Sequence, residues 1–265
     1  MQIIMKEKII AQDLNHLKEL VGLKIQRDGR NCDLNHIDVS NINDMSCLFK
    51  ESPFNGDISS WDVSNVQNMS FLFNNSLFNG DISKWNTSSV ENMNYMFGYT
   101  VFNGDISAWD VSHVKNMRGM FEQSSFNGDI SNWNTLNVQD MSGMFEQSSF
   151  NRDISQWNTL SVKKMQGMFY YSDFNKDISG WDVSSVEDIS YMFAGATFEG
   201  DVSEWNALKV VDMVDVFVNC QAVVPYWIKI DNAQERRFAI EAYHTQKILN
   251  QTINNNNKNI NTLKI

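Results

Sequence analysis

Proline and cysteine are almost missing from this 265-residue chain: there are two prolines, Pro53 and Pro225, and three cysteines, Cys32, Cys47 and Cys220. An odd number with no CxxC spacing argues against a disulfide framework and against a zinc site, so the three read as free thiols in the core. Long apolar runs are missing too. The longest, such as 222–225, fall far short of the roughly 20 residues of a membrane-spanning helix, so no membrane insertion is expected. The first twenty residues, MQIIMKEKIIAQDLNHLKEL, lack the apolar core and small-residue cleavage site of a secretory signal, from which the expectation is a cytoplasmic protein.

Positive charge is scarce. Lysine and arginine number 21 against 32 aspartates and glutamates, a formal net charge of -11. Within 30–221 there are 25 acidic and 10 basic residues, a balance of -15. Such a surface repels phosphates, and no basic cluster offsets it, so neither nucleic acid nor anionic lipid is expected as a partner. Catalytic spacings are absent as well. The four histidines, His16, His36, His113 and His244, are scattered, and no GxSxG, HExxH or P-loop pattern occurs. No enzyme, no cofactor and no small-molecule ligand is expected.

What the chain does have is a period. Phenylalanine recurs at Phe54, Phe78, Phe102, Phe126, Phe150, Phe174 and Phe198, and tryptophan at Trp61, Trp85, Trp109, Trp133, Trp157, Trp181 and Trp205, both every 24 residues. A degenerate eighth unit precedes them, with Ile37 in place of the tryptophan. The segment IxxWxV has the spacing of inward residues on the short strand of a leucine-rich repeat, and places Ile58, Trp61 and Val63 inside. The steps of three and four in Val66, Met69, Leu72 and Phe73 then predict one face of a two-turn helix. Neither element is stable alone, so each unit folds by stacking on its neighbours. The fold class expected is an α/β repeat solenoid, leucine-rich-repeat-like, with a short strand and a short helix per 24-residue coil and helical caps at both ends. The aromatic columns and the methionines read as its core.

The ends break the pattern. Leu14, Leu17, Leu20, Val21 and Ile25 form a helical stripe with Asp13 as N-cap and Gly29 as stop, and a second helix is expected from about Asn232 to Leu249 behind Asp231. The organisation expected is a helical cap over 1–29, eight repeats over 30–221, a cap with a helix over 222–250, and a disordered asparagine-rich tail over 251–265.

An aspartate recurs in every unit: Asp33, Asp57, Asp81, Asp105, Asp129, Asp153, Asp177 and Asp201. Calcium needs roughly six to eight oxygens, and each unit offers this one carboxylate and a serine two places on. The residues suit turns in which the carboxylate accepts backbone N–H groups; whether the column binds calcium stays open.

The unit FNGDISSWDVSNVQNMSFLF and the entry sequence CDLNHIDVSNINDMSCLF resemble the BspA-like leucine-rich-repeat family of bacteria. The resemblance covers about 30–221. It implies a protein-binding solenoid without catalysis, and, since many members mediate adhesion, it adds the cell surface as a second location. A departure from adhesin members is expected, since a secretion signal, a wall anchor and a long stalk are not read in these residues. Binding residues are expected where exposed columns vary. One column supplies Lys84, Asn132 and Gln156; another carries Leu136, Leu160 and Leu208 where most units have serine, an apolar patch of the kind that marks contact sites. Tyr170 and Tyr171, with Phe71, Tyr95 and Tyr191, form a second candidate cluster. The partner expected is a protein, met either by an adhesin or by an intracellular inhibitor or immunity-type protein.

Overall fold

The computed structural model describes residues 8–262; residues 1–7 and 263–265, which the expected cap and tail include, lie outside the described residues. Helix α1 (Leu14–Asp28) begins where extended Asp13 accepts the His16 N–H at 2.8 Å, and ends where Gly29, at φ 85°, returns its N–H to Ile25. Its buried positions are Leu17 and Val21. Just before it, strand β1 (Ile9–Ile10) pairs in parallel with strand β2 (Ile37–Asp38), which ties the helix to the first unit.

From there a column of parallel bridges links Asp44, Asn68, Asn92, Asn116, Asp140, Lys164, Asp188 and Asp212, one step per 24-residue unit. The expected two-turn helix is not formed at this place, and the hydrogen bonds show why. The N–H groups of Met69, Phe71, Phe73 and Asn75 each reach a carbonyl of the next unit, on Asn92, Asn94, Met96 and Gly98, at 2.9–3.0 Å. Those of Leu72, Asn74 and Ser76 turn back to Met69, Phe71 and Phe73. An α-helix would spend every donor inside the unit; alternating donors leave half of them to join neighbours. The same residues stay buried, since Val66, Met69, Leu72 and Phe73 face the core.

The IxxWxV segment corrects likewise. Only the degenerate first unit keeps a strand there, β2; in the first full unit Trp61 N–H reaches Ile58 and Val66 N–H reaches Val63, two tight turns that still bury Ile58, Trp61 and Val63. Each indole N–H satisfies a carbonyl in the preceding unit, as Trp133 does Ile106 at 3.2 Å. Among the rings, Phe73, Phe97, Phe121, Phe145 and Phe169 stack at 5.6–5.9 Å, and Phe78, Phe102, Phe126 and Phe150 at 6.3 Å. Within a unit the two columns meet, at 4.3 Å between Phe121 and Phe126. Of the cysteines only Cys32 is buried; Cys47 is exposed and Cys220 half-buried, which corrects the expectation of three core thiols.

At the far end a short 3-10 turn (Tyr226–Lys229) buries Trp227, whose indole bonds the Trp205 carbonyl at 3.0 Å. Helix α2 (Ala233–Thr262) docks beside it through buried Ile240 and through Arg236, whose guanidinium bonds the carbonyls of Ile230 and Val210 at 2.9 and 2.8 Å. Its cap is Asn232, which accepts the N–H groups of Gln234 and Glu235, rather than Asp231. The helix also runs through the asparagines to Thr262, where a disordered tail is expected: once nucleated by docking, it gains one hydrogen bond per added residue, against a propensity penalty of under about 0.7 kcal/mol for each asparagine.

Candidate functional site

Alternating bonds force a backbone conformation that side chains rarely adopt. Two residues per unit lie in the left-handed region, and the first of them makes a column: Cys47, Phe71, Tyr95, Gly119, Gly143, Gly167, Tyr191 and Asp215, all at φ of 51–61°. Glycine is not needed for the conformation, because five of the eight positions hold other residues at the same φ. Three consecutive glycines therefore do something else: they separate the rings of Phe71 and Tyr95 from that of Tyr191.

Phe71 and Tyr95 stack at 4.9 Å, and the Tyr95 ring then lies down on Gly119, where a Cβ would come within 2.4 Å of it. Beyond it the floor of Gly143 and Gly167 is bare until Tyr191. The result is an open pocket of about 250 Å³ lined by Tyr95, Arg118, Ser142, Gly143, Glu146, Gln166, Gly167, Tyr170 and Tyr191. Tyr170 and Tyr191 stand nearly perpendicular, with centroids 6.3 Å apart and an interplanar angle of 80°.

Two carboxylates converge on the floor. The point where a Cβ would sit on Gly143 is 3.2 Å from Glu146 Oε2 and 3.7 Å from Glu122 Oε2. Burial, and then the charge of Glu122, push the Glu146 carboxyl above the usual range. Glu122 is 8% exposed and accepts the Tyr99 hydroxyl, a bond that raises the phenol to about 12. Arg118 is the cation of the site. Its bond to Tyr95 holds the guanidinium above its ordinary pKa, and Asp140 and Glu122 reinforce it. Ammonium binding to rings and carboxylates is already present at the head of the column, where Lys50 Nζ sits 5.6 Å over Phe71 and 3.6 Å from the Glu51 carboxylate.

The residues singled out from sequence fall in two places. Tyr170 lines the pocket, and Tyr171 is beside it, 56% exposed, with its ring over Gly195. Leu136 and Leu160 are 41% and 49% exposed on turns whose N–H groups are taken by Asn134 and Asn158, whereas Leu208 packs partly against the core. Lys84, Asn132 and Gln156 are exposed and outside the pocket. The aspartate column is taken up by turns: Asp57, Asp81, Asp105, Asp129, Asp153 and Asp177 each accept the N–H of the serine two residues on at 2.9 Å. Glu122, Glu146, Arg118 and the three glycines escape a reading based on exposed strand columns. They show only when the 24-residue register is read down the column Phe71, Tyr95, Gly119, Gly143, Gly167, Tyr191.

The sequence matches the model of a family described as "Mycoplasma protein of unknown function, DUF285" four times in overlap, over residues 23–125, 99–197, 122–229 and 149–262, as a tandem-repeat chain does. No curated protein and no solved structure matches it.

Proposed function

We propose that this chain, which belongs to the DUF285 family of proteins of unknown function, is a non-catalytic interaction module: a solenoid of leucine-rich-repeat-like coils that binds a protein partner through its side-chain columns. The BspA-like resemblance of the units supports the same reading. Unit-to-unit bonding commits the backbone and the rings to the interior, so variation is free to collect on the outside, where repeat proteins bind. One observation carries the proposal: three successive units carry glycine between the rings of Phe71 and Tyr95 on one side and Tyr191 on the other, opening a recess with tyrosine walls. Tyrosine-rimmed recesses are where anchor residues of a partner seat. The balance of -15 over 30–221 selects a partner with a basic surface.

The test is capture of partners on the intact chain from native lysate, followed by affinity measurement with the purified partner for wild type, Gly143→Tyr and a Leu136→Ser/Leu160→Ser pair. Loss with Gly143→Tyr alone is the expected result. Loss only with the leucine pair would move binding to the turns, and no saturable partner at micromolar concentration would overturn the module.

A further inference from the structure

We propose that the glycine-floored pocket takes a single organic cation, the ammonium or guanidinium end of a lysine or arginine side chain of the partner. The inference rests on reading the chain as an interaction module and supplies the chemistry of its contact.

Four observations converge. The volume, about 250 Å³, lies under the roughly 300–1,000 Å³ of pockets for drug-sized ligands and suits one side chain. Its walls are the rings of Tyr95, Tyr170 and Tyr191, whose faces attract cations and whose hydrocarbon packs a methylene stem. Its charge is incomplete: Glu122 and Glu146 approach the same glycine, and the cation beside them, Arg118, is shared with Asp140, leaving negative charge in excess where burial makes it costly. An arriving cation reduces that excess, whereas an anion or a neutral group does not. Finally, the same column holds a lysine of its own chain at its first ring, with Lys50 between Phe71 and Glu51.

The pocket can be filled by a side chain at a position whose equivalents carry rings. Gly143→Tyr restores what Phe71, Tyr95 and Tyr191 have at nearly the same φ, and its Cβ comes closest to the carboxylate end of Glu146, at 3.2 Å, with Glu122 Oε2 next at 3.7 Å. Glu146→Gln keeps the shape and removes the charge. The probes are N-acetyl-lysine methylamide and N-acetyl-arginine methylamide, their uncharged isostere N-acetyl-norleucine methylamide, and free butylammonium, titrated into the full chain and followed by tyrosine ring signals in NMR.

Either charged probe is expected to bind saturably and shift Tyr95, Tyr170 and Tyr191, with norleucine at least about 10-fold weaker. Glu146→Gln should weaken the charged probe by about 10-fold or more, the scale of a hydrogen bond to a charged group, and Gly143→Tyr should abolish binding while a cooperative unfolding transition is kept. Norleucine binding as well as lysine, or charged probes binding Gly143→Tyr unchanged, would overturn the proposal. Butylammonium binding more tightly than both blocked amino acids would overturn a partner side chain as the source. No partner is needed for the titration. A chain that captures its partner yet binds no cation therefore refutes the ligand alone, and one that binds the cation but captures nothing refutes the module.

Discussion

Phe121→Ala puts the stacked core under its sharpest stress. The Phe121 ring is fully buried and faces Phe97 and Phe145 at 5.8 Å and Phe126 at 4.3 Å. Truncating a buried phenylalanine costs about 3–5 kcal/mol, and four aromatic neighbours, these three and Trp133 at 6.3 Å, each contributing about 0.5–1.5 kcal/mol beyond area, place this site near the upper end. Phe217 closes the same column but is half-buried, with one ring partner, Phe193, at 5.3 Å, and its truncation should cost about 1–2 kcal/mol. Position adds a second difference. In a chain whose stability is a sum of units and nearest-neighbour interfaces, a defect in the middle uncouples the halves, whereas one at the end frays it. Urea unfolding followed by tryptophan fluorescence should show Phe121→Ala with a lowered midpoint and a broadened or split transition, and Phe217→Ala with a small shift and unchanged slope. Equal losses at the two sites, or a loss under about 2 kcal/mol at Phe121, would refute stacking as the source of stability.

Acid should weaken the fold through its turns. In Asp57, Asp81, Asp105, Asp129, Asp153 and Asp177 the serine two residues on, by its N–H and then its hydroxyl, holds the carboxyl below the ordinary value. A folded pKa below the unfolded one gives stability that is present above about pH 4 and lost as pH falls through the depressed values, so circular dichroism should record thermal midpoints declining steadily below that pH. Glu146 runs the other way: with its folded pKa raised by burial and by Glu122, and Arg118 opposing, its contribution is complete below the ordinary glutamate value and lost as pH rises through the raised one. Glu146→Gln should therefore raise the thermal midpoint at pH 7 and leave no difference near pH 4; a lower midpoint at pH 7 would contradict this. Arg236→Met leaves the Ile230 and Val210 carbonyls without their partner, at about 1–3 kcal/mol each, so amides of α2 should exchange at least roughly 30-fold faster while those of 68–169 hold.

The interior was legible in the sequence because burial obeys spacing whatever the backbone does. Phe54, Trp61, Met69 and Phe73 had to face inward at a 24-residue period, and they do. The secondary structure was not legible, because steps of three and four are shared by a helix and by a chain that alternates a bond to its neighbour with a turn. Only the unit-to-unit hydrogen bonds separate the two, and a periodicity does not record them. The site was half legible. Tyr170 is conspicuous as an aromatic outside the core columns, but the pocket is made of what is missing, the side chains at Gly143 and Gly167, and a glycine in a turn-rich sequence draws no notice until its column is aligned. Glu146 looks like one of many surface acids until the bare floor beside it turns it inward.

Amide exchange on the complex with the captured partner tests the central claim most directly. Binding at the glycine-floored pocket predicts that protection on complex formation is confined to 118–123, 142–147 and 166–171 and disappears in Gly143→Tyr. Protection centred instead on the turns of Leu136 and Leu160, or spread evenly along the chain, would contradict it.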